Sequence, residues 1–259
     1  MNKGTITTNI TNKVATITFF HPAGNSLPSE LINRMIDSIN RLADNDDVHV
    51  VVLQSEGDKS FCGGASFEEL LSISNMEEGK QFFSGFANII NSMRKCPKLI
   101  IGRAQGKAVG GGVGILAATD YCFATEAADI KLSELSIGIG PFVIAPAVER
   151  KIGVSALSEL TLDATHWRTA YWAKDKGLFN TVFDNSRDMD TAIAILASNL
   201  TKYNLDAMKE MKKVLWKNAE HWDALLLERA EISGKLVLSD FTKNALRKYK
   251  KGLSPLERG

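Results

Sequence analysis

Two short, strongly apolar runs constrain the fold of this chain more than any other feature of its sequence. They cover Val48–Leu53 and Leu99–Ala104, and their lengths fit strands that are covered on both faces, as in a parallel sheet. Between them, the stretch from about Met76 to Met93 has the residue pattern of a helix. Strands that alternate with helices predict an α/β domain with substantial parallel pairing.

The N-terminal residues predict a hairpin followed by an amphipathic helix. Thr5–Ile10 and Lys13–Phe20 are rich in β-forming residues, and Thr11-Asn12 separates them as a turn. After a loop of turn-forming residues, Ser29 is predicted to be the N-cap of a helix. The apolar positions of that helix recur every three or four residues and are Ile32, Met35, Ile36, Ile39 and Leu42.

Strand signals vanish towards the end of the chain. From about Asp190 onward, the spacing of apolar residues is helical. We therefore predict two regions, which are a core domain of residues 1–190 and a mostly helical C-terminal region of residues 191–259.

The composition argues against several classes of protein. Lysine and arginine total 31 against 30 acidic residues. The net charge of +1 therefore gives the protein no overall positive charge that would attract nucleic acid or an anionic membrane. The three cysteines have no CxxC spacing, which argues against structural zinc and for a reducing compartment. The N-terminus does not resemble a signal peptide, and no long apolar run suggests a membrane span. The sequence therefore predicts a cytoplasmic protein without metal, nucleic-acid or membrane partners.

A first glycine-rich segment, Gly63-Gly64-Ala65, follows a predicted strand and leads into a predicted helix. Its small side chains leave the backbone uncovered, so its N–H groups can approach a ligand oxygen. Taken alone, the segment is better explained as an ordinary tight loop before a helix.

A second glycine-rich segment, Gly106–Gly114, lies between a predicted strand and a small, apolar helix. Three successive glycines there expose amides at the positive end of a helix dipole, which suits an anionic oxygen. Gly112, Gly114 and Ala117 also fit the dinucleotide-binding pattern G-x-G-x-x-A, with Glu134 twenty residues beyond Gly114. We reject that interpretation, because such a loop usually follows the first strand of a βαβ unit.

Together the two segments resemble the crotonase superfamily of enoyl-CoA hydratases and isomerases. Members of that superfamily carry an F-C-A-G-A-D-like loop and a later A-x-G-G-G-x-E-like turn. The resemblance implies that the amides of Ala65 and Gly111 form an oxyanion hole for a thioester oxygen. It extends over nearly the whole chain, since His21–Leu27 resembles a CoA-binding loop, Asp120 a structural aspartate and Lys176–Asn180 a later family element.

The resemblance also implies the fold, the assembly and the substrate. We expect an α/β fold of the crotonase (ClpP-like) type, a spiral of ββα units whose helical C-terminal region assembles a homotrimer or a dimer of trimers. The expected substrate is an acyl-CoA thioester, so coenzyme A belongs to the substrate and no cofactor is expected. The residues expected to bind that substrate are Ala23, Ser26, Leu27, Gly63, Ser66, Phe67, Gly110, Pro141 and Phe142.

Glu134 is the predicted catalytic acid and base. With Gly138 and Pro141 it matches the E-x-x-x-G-x-x-P pattern of the family, twenty residues after the triple-glycine turn. Apolar neighbours would desolvate the carboxylate and raise its pKa towards neutrality. The best-studied hydratases carry an additional glutamate, and Gly114 stands at that position here.

A single glutamate leaves more than one reaction open. Double-bond isomerases of the superfamily look like this, because one base can remove an α- or γ-proton and return it elsewhere. Some bacterial hydratases of branched acyl-CoAs, such as methylglutaconyl-CoA, are similar around Ile139–Pro146, which favours hydration. A noncatalytic CoA-binding protein and an enzyme that hydrolyses thioesters are further alternatives.

Other reactive or aromatic side chains are interpreted as structural. Glu68 and Glu69 begin a helix as dipole-stabilising acids, although Glu69 could face the acyl pocket. His166, Trp167 and Trp172 are predicted to lie on one amphipathic helix.

Two further features of the sequence bear on the site. Cys62 has no visible paired base, so a thiol nucleophile is not expected, and Ser66 replaces the aspartate common in the family. The resemblance implies that one or more residues of a terminal basic run meet the phosphates of CoA. That run consists of Lys243, Arg247, Lys248, Lys250 and Lys251.

Overall fold

The computed structural model describes residues 4–250 and begins with the predicted hairpin. Its strands β1 (Thr5–Thr11) and β2 (Val14–Phe20) pair in antiparallel register. Asn12 and Lys13 between them both have positive φ, as a two-residue hairpin turn requires.

The two apolar runs form neighbouring strands of the larger of two sheets. These strands are β3 (Val50–Ser55) and β5 (Leu99–Ala104), and they pair in parallel. The other strands are β4 (Ser60–Cys62), β6 (Lys107–Val109), β7 (Tyr121–Thr125), β8 (Ile130–Lys131) and β9 (Thr181–Phe183). The larger sheet has the order β1-β2-β3-β5-β7-β9, and every neighbouring pair after β1 and β2 is parallel.

The helices begin close to their predicted positions. They are α1 (Ser29–Ala43), α2 (Phe67–Ser72), α3 (Met76–Lys95), α4 (Gly111–Ala117), α5 (Ala145–Leu162), α6 (Ala170–Asp175), α7 (Ser186–Leu200), α8 (Leu205–Leu215), α9 (Trp222–Leu236) and α10 (Asp240–Lys250), with a 3₁₀ helix at Glu134–Ile137. The predicted N-cap of α1 is wrong by one residue, because extended Pro28 occupies that position and Ser29 is already helical. A proline side chain cannot accept a hydrogen bond, so α1 is not capped by its own N-cap residue.

The chain repeats a strand–strand–helix unit, in agreement with the predicted spiral. After each of β3, β5 and β7 the chain enters a second sheet, whose order is β4-β6-β8, and a helix or 3₁₀ turn follows. The three short strands are parallel. The loops that follow them therefore leave the small sheet at the same edge, and those loops carry both glycine-rich segments and Glu134.

Helix α7 covers one face of the larger sheet. Val50, Val52 and Ile101 point into an apolar cluster with Met189 and Ile193 of that helix. The predicted boundary at residue 190 thus falls within α7, and the division into 1–190 and 191–259 stays a prediction.

The C-terminal helices fold back onto the rest of the chain. Helix α9 packs along α3, and the two cross at Gly79 and Gly234, where a Cβ atom on Gly79 would lie 2.7 Å from the Gly234 oxygen. Helix α10 contacts α2 and the 3₁₀ helix, with the rings of Phe67 and Tyr249 5.5 Å apart. No helix within residues 4–250 is long and apolar enough to span a membrane.

The helix predicted to carry His166, Trp167 and Trp172 is shorter than expected. The prediction is right for Trp172 on α6 but wrong for the other two, which precede that helix. The backbone there pairs with the small sheet instead, since Arg168 and Ile130 exchange hydrogen bonds of 2.9 and 2.8 Å. Pairing with the small sheet therefore determines the structure of this segment, although the spacing of its residues is that of a helix.

Candidate active site

Three loops meet at one edge of the small sheet. A Cβ atom on Gly64 would lie 2.9 Å from the oxygen of Val109, so the first two loops are in contact. A Cβ atom on Gly110 would lie 2.7 Å from Oε1 of Glu134, so the third loop adjoins the second. The topology therefore brings together Glu134 and both glycine-rich segments.

The first loop presents the amide of Ala65. Leu27 donates its N–H to the oxygen of Gly64 at 2.8 Å and accepts from the N–H of Ser66 at 3.3 Å. Because N–H groups alternate in direction along an extended chain, the Ala65 N–H points away from Leu27. Within residues 4–250 it donates to no other group, which leaves it available to a ligand.

The second loop presents the amide of Gly111. Gly110 has φ 52°, which favours glycine, and a side chain there would also collide with Glu134. Gly111 begins α4, where the first N–H groups lack intrahelical partners. In the described part of the chain its N–H has no acceptor, so both predicted oxyanion donors are unpaired.

Glu134 supplies an ionisable group beside these amides. Its Oε2 atom is buried and has no hydrogen-bond partner among the residues that the structure describes. Burial raises the pKa of this carboxyl from 4.5 to about 7. The group can therefore both accept and donate a proton near neutral pH.

The position of Gly114 offers no room for another carboxylate. A Cβ atom built there would overlap the side chain of Ile144. Among the described residues that line the adjoining cavity, Glu134 is the only ionisable one. Among the described walls, Glu134 is therefore the group suited to carry a proton.

The cavity beside these groups is narrow, about 70 Å³, and its walls are mostly apolar. Eight predicted site residues line it, namely Gly63, Ala65, Phe67, Gly110, Gly111, Glu134, Pro141 and Phe142. Sequence reasoning missed further wall residues, which include Leu70, Phe83, Phe86, Val109, Ile137, Ile139, Val143, Ile144 and Ser233. Several of these lie on α3 and α9, and nothing in the sequence indicated that those helices approach the glycine loops.

Four predicted substrate-binding residues lie outside the cavity walls. Ala23 is exposed, Leu27 is fully buried, and the hydroxyl of Ser26 lies 3.1 Å from Nδ1 of His21. Ser66 is the N-cap of α2, where its hydroxyl accepts from the amide of Glu69. A role for these residues in binding CoA stays a prediction.

The other acidic and thiol candidates have structural surroundings. The carboxylate of Glu69 accepts from the amide of Ser29 at 2.9 Å and from its hydroxyl at 2.7 Å, at the start of α1. Cys62 is fully buried, and burial raises the pKa of its thiol to about 12, so it stays protonated.

The basic run is only partly covered by the structure. Lys243, Arg247 and Lys248 lie on α10, whereas Lys251 and the side chain of Lys250 are outside the described residues. The predicted contact between this run and CoA phosphates stays a prediction.

Comparisons with known proteins find matches along most of the chain. The family described as "Enoyl-CoA hydratase/isomerase" matches residues 9–257. The chain is 26% identical over 211 residues to the peroxisomal Delta(3,5)-Delta(2,4)-dienoyl-CoA isomerase of Arabidopsis thaliana, covering 76% of this chain and 74% of that one. It is 28% identical over 240 residues to the short-chain-enoyl-CoA hydratase of Clostridium acetobutylicum, covering 92% and 91%.

The fold is also found in solved structures. An enoyl-CoA hydratase from Bacillus halodurans superposes with a TM-score of 0.87 at 22% identity, over 93% of this chain and 98% of that one. At 22% identity, this structural similarity establishes the fold alone.

Proposed function

Because the chain belongs to the enoyl-CoA hydratase/isomerase family, we propose that it is an enoyl-CoA hydratase, which adds water reversibly to a 2-enoyl-CoA thioester. The observation that carries this proposal is the buried Glu134 carboxyl beside two unpaired amides. The similarity to the Clostridium hydratase, which extends over most of both chains, supports the same reaction.

The two amides stabilise the charge that forms on the substrate. When oxygen adds to C3 of the 2-enoyl group, negative charge moves onto the thioester oxygen as an enolate. The N–H groups of Ala65 and Gly111 donate to that oxygen, and each such donor is typically worth about 3 kcal/mol. Within residues 4–250 neither amide donates to another acceptor, so no hydrogen bond has to break before the thioester oxygen binds.

Glu134 carries the proton in this mechanism. Its carboxylate takes a proton from water as the water oxygen bonds to C3, and its carboxyl then returns a proton to C2 of the enolate. A pKa of about 7 lets one group take both roles. The reverse sequence removes the proton from C2 and releases water.

Isomerisation of the double bond is the second candidate function. It is favoured by the single carboxylate of the cavity, since one base can move a proton between C2 and C4 without water. The similarity to the Arabidopsis isomerase supports this reading as well.

We also propose that the protein is a cytoplasmic homotrimer or dimer of trimers. The family resemblance supports this assembly, since it implies a helical C-terminal region that forms trimers. Light scattering after size-exclusion chromatography gives the mass, and a monomer at micromolar concentration would contradict the proposal.

Heavy water separates the candidate reactions. The protein is incubated in heavy water with straight and branched 2-enoyl- and 3-enoyl-CoAs, and the products are analysed by mass spectrometry. Hydration adds the elements of water to the acyl group, whereas isomerisation moves the double bond without adding water, with or without deuterium at the carbon that receives the proton. Glu134→Gln should lose turnover and keep acyl-CoA binding. Binding without conversion of any substrate by the wild type would identify a noncatalytic protein, and release of free CoA would identify a hydrolase.

A further inference from the structure

One wall of the cavity is built by two helices whose backbones meet closely at a pair of glycines. Helix α3 contributes Phe83 and Phe86, and α9 contributes Ser233, which is 1% exposed. Ser233 precedes Gly234, where a Cβ atom would lie 2.6 Å from the backbone nitrogen of Lys80. This glycine contact lets α9 approach α3 and brings Ser233 to the cavity.

The walls around an acyl group carry no positive charge. Within residues 4–250, every side chain that lines the cavity is apolar or neutral except Glu134. The nearest cation on this part of α3 is Lys80, and its ammonium forms an exposed ion pair with Glu231 at 3.0 Å. No lysine or arginine is among the described residues that line the cavity.

The aromatic rings in the walls are also closely packed. A Cβ atom on Gly111 would overlap the ring of Phe86, and one on Gly140 would overlap the ring of Phe142. Phe86 also packs in the main apolar core and is 3% exposed. Because such packing resists rearrangement, a distant basic side chain cannot replace these rings without a large loss of contacts.

A second carboxylate on the acyl group would be strongly disfavoured here. An unpaired carboxylate loses its hydration on entering an apolar cavity and gains no compensating partner. It would also lie near Glu134, and two carboxylates in one apolar cavity repel each other.

We infer that this pocket takes compact, uncharged acyl groups, straight or branched, and rejects acyl groups that end in a carboxylate, such as methylglutaconyl. The inference rests on the proposed function, because it assigns the acyl group to this cavity. Among branched acyl-CoAs it selects those with hydrocarbon branches, with Ser233 as a neutral polar residue of the wall.

Saturated acyl-CoAs test the inference through binding, without any reaction. Isothermal titration calorimetry on the wild-type protein compares 3-methylglutaryl-CoA with 3,5-dimethylhexanoyl-CoA, in which an isopropyl group replaces the carboxylate. We expect the uncharged ligand to bind more tightly by a factor on the order of 100. Equal affinities, or tighter binding of the acid, would overturn the inference.

Two variants of Phe83 test whether the wall formed by α3 determines this selectivity. Phe83 is only partly buried, so Phe83→Lys can place an ammonium at the wall, and Phe83→Met is its uncharged control. We expect the preference for the uncharged ligand to be about tenfold smaller in the lysine variant than in the methionine variant. The same preference in both variants would contradict this assignment of the wall. Failure of every thioester to bind, isovaleryl-CoA included, would instead refute the proposed function.

Discussion

At the scale of single residues, the spacing of a family motif located Glu134, and its burial gives it a useful pKa. The sequence could place this carboxylate on a loop, but it could not show that its Oε2 would lack a partner. It gave no sign of Phe86 or Ser233 either, because their roles depend on which faces of α3 and α9 turn towards the glycine loops. Ser66, predicted to bind substrate, is found as a helix cap.

Glu134 should make the stability of the protein depend on pH. Its pKa is raised from 4.5 to about 7, so the folded state keeps a proton that the unfolded chain releases in that window. The free energy of unfolding therefore falls as pH rises from about 4.5 to 7, by at most about 3 kcal/mol. Glu134→Gln should remove this loss, making the variant more stable than the wild type in urea at about pH 8 and equally stable at about pH 4.

The exposed Glu68 provides the control for that measurement. Glu68→Gln changes the same functional group at the surface but keeps Glu134, so its free energy of unfolding should fall with pH as that of the wild type does. If the free energies of unfolding of Glu134→Gln and the wild type differ by the same amount at both pH values, the assigned burial of the carboxylate is contradicted.

Glu134 should also set the pH dependence of turnover. Hydration begins with the carboxylate form, so kcat/KM should rise with pH and level off above the pKa of about 7. Initial rates between about pH 5.5 and 8.5, with the absorbance of the enoyl thioester as the signal, measure this profile. A flat profile would exclude Glu134 as the proton carrier in the rate-determining step.

At the scale of elements, local patterns predicted strands and helices well, but contacts between elements were not predictable. Leu99–Ala104 is a strand at its predicted bounds, because its run of apolar residues already indicated burial on both faces. The cap of α1 is different, since Pro28 supplies no acceptor and Glu69 on α2 supplies one from forty residues away. No local rule connects those positions.

Removing the Glu69 cap should destabilise the protein. Glu69→Ala deletes the acceptor for the amide and hydroxyl of Ser29, and loss of such a cap costs about 1 kcal/mol. The free energy of unfolding from urea titrations measures this loss. Glu68→Ala, in the same turn of α2 and exposed, is the matched control and should change stability by less than about 0.5 kcal/mol. Equal effects of the two substitutions would contradict the cap.

The glycine contact between α3 and α9 predicts opposite effects for two similar substitutions. Gly79→Ala would place a Cβ atom 2.7 Å from the oxygen of Gly234, so it should destabilise the protein by about 1–3 kcal/mol despite the better helix propensity of alanine. Gly85→Ala on the same helix meets Ile32 at 3.4 Å, an ordinary contact, and should be neutral or stabilising. Thermal unfolding of both variants measures the difference, and a stable Gly79→Ala protein would show that α9 can move away from α3.

At the scale of the whole molecule, the region of α8 is joined to the core through Asp120. Its carboxylate accepts from the Ile100 amide and from Nε1 of Trp216, each at 2.7 Å, and forms an ion pair with Lys212 at 3.0 Å. Both charged side chains of that pair are only 4% exposed. The family resemblance marked Asp120 as structural, but its partners on α8 could not be predicted from sequence, because they lie more than ninety positions further along the chain.

Breaking this pair should destabilise the whole molecule. Lys212→Met leaves Asp120 as an unpaired buried charge and should lower the free energy of unfolding by about 3–5 kcal/mol. Lys213→Met removes only an exposed pair with Glu210 and should change it by less than about 0.5 kcal/mol. Adding Asp120→Asn to Lys212→Met should recover part of the loss, because the unpaired charge is then gone. Equal losses in Lys212→Met and Lys213→Met would show that α8 is not held to the core through this carboxylate.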